Sequence, residues 1–142
     1  MLDSGGGEII GVIPKALLVR EVGRTDIGEL RVVRSMHERK ATMAELSDGF
    51  IALPGGFGTF EEFCEVVTWA QLGLHSKPVG LLNVESYFDP LIEQFDRAVR
   101  EQFIFPEIRS LILHETESHR LLDRMEAWQA PAVEKWIDYD EA

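Results

Sequence analysis

The feature that most constrains this chain is a recurrence of short apolar runs rich in Val, Ile and Leu. They fall at Ile9 to Ile13, Leu30 to Val33, Phe50 to Leu53, Val79 to Leu82 and Leu111 to Leu113, with segments of helical period between them. Continuous runs of this length suit strands buried on both faces, and their alternation with helices specifies an α/β fold with a mostly parallel, doubly covered sheet. The clearest helix is expected from Thr59 to about Gly73, where Phe60, Phe63, Cys64, Val66, Val67 and Ala70 repeat at spacings of three and four. Its apolar face should lie on the sheet. Further helices are expected over Met36 to Leu46, Tyr87 to Glu101 and Glu117 to Trp128.

At 142 residues and 45% hydrophobic, the chain suits one domain and is too short for two that each bury a core. Residues 1–128 read as that single domain and residues 129–142 as a tail. The tail carries Pro131, Trp136 and Ile137 before an acidic end, so it is either frayed or clamped onto a neighbour. At the other end, Leu2-Asp3-Ser4-Gly5-Gly6-Gly7 runs directly into the first strand. It reads as the C-terminal cap of a helix, with a flexible phosphate loop as the alternative. The single cysteine, Cys64, cannot form an internal disulfide and is expected to be a small buried hydrophobe. It suits a reducing compartment, and with no apolar run near the ~18 residues of a membrane span, the cytoplasm is the default.

With 25 acidic against 14 basic residues the net charge is -11, which disfavours nucleic acid and anionic membranes as partners. A bound anion therefore needs a local exception. One candidate is Arg31-Val32-Val33-Arg34-Ser35-Met36-His37-Glu38-Arg39-Lys40, where four of the 14 Lys and Arg gather. Ser35-x-x-Glu38 has the form of a capping box that starts a helix at Met36. That would set Arg39 and Lys40 near its first turn, where cations oppose the helix dipole unless an anion is nearby; a solvated basic face is the alternative.

The strongest feature is Pro54-Gly55-Gly56-Phe57-Gly58-Thr59-Phe60-Glu61-Glu62, which follows the strand Phe50 to Leu53 and opens the long helix. Its position is the carboxyl edge of the sheet, where open α/β folds bind ligands. Three glycines in four positions let the backbone approach a ligand and take up positive φ, so that successive N–H groups face an anion, with phosphate the natural guest. The structural alternative is a tight turn capped by Thr59. In that case Thr59-x-x-Glu62 is itself a capping box, although a capping and a catalytic role for Glu62 need not exclude each other. Adjacent carboxylates at a phosphate site repel the substrate, so at least one of Glu61 and Glu62 must act in the chemistry or turn away.

Met36-His37-Glu38-Arg39-Lys40-Ala41 followed by Pro54 to Glu62 resembles the paired signature of the LONELY GUY family, long labelled lysine decarboxylases. The likeness continues through Gly11 to Lys15, Arg20-Glu21, Thr68 to Gly73 and Lys77 to Asn83, and covers the chain to about Arg124. The resemblance implies a Rossmann-like fold, usually dimeric, that binds a nucleoside 5′-monophosphate without metal or organic cofactor. It implies hydrolysis of the bond between an N6-substituted adenine and ribose 5-phosphate. By that likeness Gly56, Gly58 and Thr59 hold the phosphate, Gly55, Phe57 and Phe60 belong to the substrate-binding residues, and Arg39 and Glu62 are the catalytic pair. Glu21, Lys40, Glu61 and Thr68 match positions lining the substrate pocket. Family members carry a further N-terminal unit of roughly sixty residues that supplies part of the pocket, so the chain is expected to be a fragment or mis-started product, or a variant whose hydrolase activity is reduced or lost.

Two other functions compete with this reading. A protein of the same fold that binds a nucleotide or another phosphorylated ligand without chemistry would release no free base. A decarboxylase dependent on pyridoxal phosphate is disfavoured by the small size of the chain and its four lysines.

Overall fold

The computed structural model describes residues 7–18 and 28–131. The glycine-rich start through Gly6, the Arg20-Glu21 pair with the candidate pocket residue Glu21, and the tail segment with Trp136 and Ile137 lie outside the described residues. The chain forms two compact units, Met1–Ser47 and Asp48–Ala142.

In the first unit, β1 (Ile10–Pro14) pairs in parallel with β2 (Glu29–Val33), in register from Ile10 opposite Glu29 to Pro14 opposite Val33. A four-residue helix, α1 (Lys15–Leu18), follows β1 directly. Gly28 enters β2 at φ 57, where a Cβ would collide with the Ile9 carbonyl, and the next residue donates its N–H to that same carbonyl at 2.9 Å. The left-handed conformation and the close approach both require glycine. Helix α2 (Met36–Leu46) then begins where the sequence places it. The Ser35 hydroxyl accepts from Glu38 N–H at 3.1 Å, and the Glu38 carboxylate reaches back to Arg34 N–H at 2.7 Å, one residue before the usual capping-box partner.

The second unit is a three-stranded parallel sheet, β3 (Phe50–Ala52), β4 (Val79–Leu82) and β5 (Ile112–Glu115), with β4 in the middle. Helix α3 (Phe57–Gln71) connects β3 to β4, and α4 (Asp89–Arg100) with the short α5 (Pro106–Arg109) connects β4 to β5. Strand alternation sorts the helices onto faces. Val79 and Leu81 form one core with Phe63, Phe88 and Ile112. The intervening Gly80 points the other way, against the fully buried Leu121 of α6 (Ser118–Glu126). The sheet is thus covered on both faces, as a parallel sheet requires.

Several boundaries depart from the sequence reading. Helix α3 starts before Thr59, and α4 starts after Tyr87 because Val84–Ser86 forms a separate 3-10 turn in which Glu85 and Ser86 take φ 49 and 61. The strand expected at Leu111 to Leu113 runs instead from Ile112 to Glu115. Cys64, expected to be buried, stands exposed on α3, because it lies to the side of the helix stripe that meets the sheet. Among the described residues no helix is long and apolar enough to cross a membrane.

The Gly80–Leu121 contact sets a clear test. A Cβ on Gly80 would sit 2.9 Å from Leu121 Cδ1, and Leu121 is 0% exposed, so the leucine has nowhere to retreat. Gly80→Ala is expected to destabilise the protein by about 1–3 kcal/mol through overpacking, seen as a lower denaturation midpoint; an unchanged midpoint would show that α6 is free to shift.

Candidate active site

Because β3 and β4 run parallel, the connections that follow them leave at the same edge of the sheet. The first is Leu53 to Gly56, which leads into α3. Helix α3 is held on the sheet by Phe63, in the core, and by Phe60, Val66 and Val67 packed against it. The helix axis, and with it the direction of the N-terminal amides, is therefore set by apolar packing rather than by the turn itself.

The N-cap is Gly56, at φ -95 and ψ -153, with no side chain to bond the first-turn amides, and the first turn contains no acidic residue. The first N–H to return to the turn is that of Phe60, 3.2 Å from the Gly56 carbonyl. The amide groups ahead of it, with the positive end of the helix dipole, have the arrangement that suits an anion. A Cβ on Gly56 or Gly58 would meet nothing within 4 Å, so both α-carbons border open space. Gly55 differs, since a Cβ there would strike Thr59 Oγ1. Clearance is therefore what the three glycines supply. The expected positive φ is not found at them: among the described residues the positive-φ glycines are Gly28 and Gly73.

The structural alternative, a turn capped by Thr59, is not what forms. Thr59 is the third residue of α3 and lies inside its first turn, so it cannot be the cap, and Glu62 belongs to the second turn. The earlier start has a physical source: Thr is a good cap and Gly-Phe-Gly a poor helix start by propensity, yet the packing of Phe60 and Phe63 draws the helix back to Phe57.

The structure brings Gly55, Gly56, Phe57, Gly58, Thr59, Phe60, Glu61 and Glu62 together on one turn and the helix start it opens. Phe57 is 92% exposed, whereas Phe60 faces the core. Glu61 is exposed and Glu62 half-buried. Thr68 lies farther along α3, donates its hydroxyl to the Cys64 carbonyl at 2.7 Å, and lines an apolar cavity of about 180 Å³ with Phe63, Phe95 and Ile108. Arg39 and Lys40 are half-buried on α2 of the first unit. Of the basic segment, Arg31 is committed to Glu29 at 2.8 Å.

The sequence reading missed the second connection. Tyr87, beyond the end of β4, donates its phenol O–H to the Gly55 carbonyl at 2.5 Å. Asn83, buried at 6% exposure, accepts Phe88 N–H and donates to Asp89, each at 2.7 Å. A search for polar side chains just past each strand's carboxyl end would have found both, since that edge is where ligands bind. The partly buried histidines lie elsewhere. His75, past the C-terminus of α3, accepts Lys77 N–H at Nδ1 and so donates from Nε2 to the Val66 carbonyl; burial pushes its pKa down.

A family model described as "Possible lysine decarboxylase" matches residues 2–125. The chain is 52% identical over 128 residues to a "Probable cytokinin riboside 5'-monophosphate phosphoribohydrolase" of Oryza sativa subsp. japonica, covering 90% of this chain and 57% of that protein. It is 52% identical over 132 residues to a cytokinin riboside 5'-monophosphate phosphoribohydrolase of Arabidopsis thaliana, covering 93% of this chain and 62% of the relative. Against another such phosphoribohydrolase of Oryza sativa subsp. japonica the identity is 50% over 140 residues, or 99% of this chain and 57% of the relative. The chain thus spans somewhat more than half the length of these curated relatives.

The open space at Gly58 separates structure from binding. Gly58→Ala is expected to leave stability unchanged or raise it by up to about 1 kcal/mol, since alanine is the better helix residue. It should weaken ribose 5-phosphate binding by on the order of tenfold, because the methyl group enters the space an anion would occupy at the helix start. Equal affinity in the two proteins, by calorimetry, would remove Gly58 from the site.

Proposed function

The chain belongs to the LONELY GUY family, and from that premise we propose that it hydrolyses the N-glycosidic bond of an adenosine 5′-monophosphate, N6-substituted or plain, to free base and ribose 5-phosphate. What most supports this reading is the uncapped start of α3, whose amides open onto space at the carboxyl edge of a parallel sheet with Glu62 one turn behind them. In this reading residues 1–128 act as one nucleotide-binding domain in the cytoplasm, where a lone cysteine is at home.

The chemistry assigns the roles. The 5′-phosphate sits on the amides of the turn from Gly55 to Thr59, with the exposed Phe57 beside it, while Phe60 serves the core instead. Departure of the base leaves positive charge on the ribose ring oxygen and C1′. The carboxylate of Glu62 stabilises that charge and orients the water, whose oxygen bonds to C1′ as the C1′–N9 bond breaks and the electron pair leaves with the base. Glu62 takes the water proton in the same step, and that proton, passed to the departing base directly or through solvent, leaves the base neutral and restores the carboxylate. A guanidinium is a donor and not a base, so Arg39 belongs on the phosphate or on the electron-rich departing base and not at proton abstraction. Glu21, Lys40, Glu61 and Thr68 line the pocket in the same reading.

Glu62→Gln keeps the size and shape of the side chain and removes its charge, so it tests the chemistry directly. Turnover, read as free adenine-type base, should fall on the order of a hundredfold or more while the unfolding midpoint stays near that of the parent chain. Full turnover in Glu62→Gln would remove Glu62 from the mechanism. A protein that binds ribose 5-phosphate but releases no base would be a binding protein of the same fold.

A homodimer or larger assembly completes the proposal. Phe103 and Phe105 are 85% and 70% exposed on either side of Ile104, in the turn between α4 and α5. Apolar surface clustered in this way marks an association site. Light scattering at micromolar concentration should give at least twice the 16.1 kDa chain mass, and a purely monomeric species would count against it.

A further inference from the structure

Two of the three non-glycine residues with positive φ among the described residues are adjacent, Glu85 and Ser86, at 49° and 61°. Left-handed backbone at such residues is costly and persists where the surroundings over-determine it. Here they do. Before the pair, Asn83 takes the Glu115 carbonyl with its own N–H at 2.8 Å, while its side chain holds Phe88 N–H and the Asp89 carboxylate. After the pair, Phe88 is locked into the core at 1% exposure. The consequence falls on Tyr87, whose ring stands edge-on to Phe88 with centroids 5.1 Å apart and whose hydroxyl lands on the carbonyl of Gly55.

In a trans peptide the C=O and the following N–H point in opposite directions. A hydrogen bond on the Gly55 carbonyl therefore fixes where Gly56 N–H points, on the side away from Tyr87. Gly55 and Gly56 offer no side chain that could hold this peptide, and glycine backbone rotates more freely than any other. We propose that Tyr87 is a positioning residue for the anion-binding turn: by holding the Gly55 carbonyl it aims Gly56 N–H, so that the amide is already oriented when the ligand arrives. This rests on the anion site of the proposed function. Its contribution is pre-organisation, which removes an ordering cost from binding. Tyr87 remains 46% exposed, so the phenol is held by one directed bond rather than by burial.

The test is Tyr87→Phe, which deletes one oxygen and keeps the ring against Phe88. Loss of one exposed neutral hydrogen bond should raise the dissociation constant of ribose 5-phosphate by about fivefold, with the unfolding midpoint little changed. In the ligand-free protein the Gly56 amide resonance should shift and its hydrogen exchange should quicken. If the parent chain hydrolyses nucleotide, the substitution should raise KM while leaving kcat within about twofold, because the phosphate is bound equally in ground and transition states. Unaltered ribose 5-phosphate affinity, or an unmoved Gly56 resonance, would overturn the proposal. A parent chain that binds ribose 5-phosphate in a Tyr87-dependent way but releases no base sinks the hydrolase reading and leaves this one standing. Hydrolysis with the same KM in both proteins does the reverse, and a parent chain with no affinity for ribose 5-phosphate overturns both.

Discussion

The packing of Phe63 against Val79, Leu81 and Ile112 is the interaction on which the candidate site depends. Burying side chains of this size contributes roughly 1.5–3 kcal/mol each, far more than any single bond in the turn ahead of them. That packing holds α3 across the sheet and so determines where its first amides point. The glycines do not set the direction; they clear the space in front of it. A rigid helix with a short, side-chain-free entry can present backbone donors to an anion without relying on mobile cations.

This division of labour bears on a strongly anionic protein. A chain of net charge -11 cannot attract a phosphate by its average field. Its basic segment is also partly occupied with structure, for Arg31 pairs with Glu29 and Glu38 closes the start of α2. Backbone amides carry fixed partial charge whatever the surrounding carboxylates do, which suits them to hold an anion here. Their weakness is orientation, and the turn meets it twice: Thr59 lies over Gly55, and Tyr87 holds the Gly55 carbonyl.

Much of the fold was legible because apolar runs and helical spacing record burial directly. Val79 to Leu82 is a strand as read, and Met36 to Leu46 a helix as read, with Ser35 and Glu38 in their capping roles. The errors share a cause. The helix expected from Thr59 begins two residues earlier, because Gly-Phe-Gly is a weak helix start by propensity while packing draws the start to Phe57. Tyr87 has good helical company in the sequence, yet the Asn83 bonds and the burial of Phe88 force Glu85 and Ser86 into a left-handed turn that delays α4 to Asp89. Cys64 fits an apolar helix by composition, although its angle about the axis leaves it outside the buried stripe.

By itself, the sequence determined the α/β class, the parallel strands, and the place of the glycine turn between β3 and α3, because these follow from patterns within a few residues of one another. It also carried the family, through two motifs at a distinctive spacing. Only the tertiary structure decided that Gly56 rather than Thr59 caps α3 and that Tyr87 reaches the Gly55 carbonyl. These are contacts between elements, as when a phenol meets a carbonyl 32 residues away, and local propensity holds no record of them.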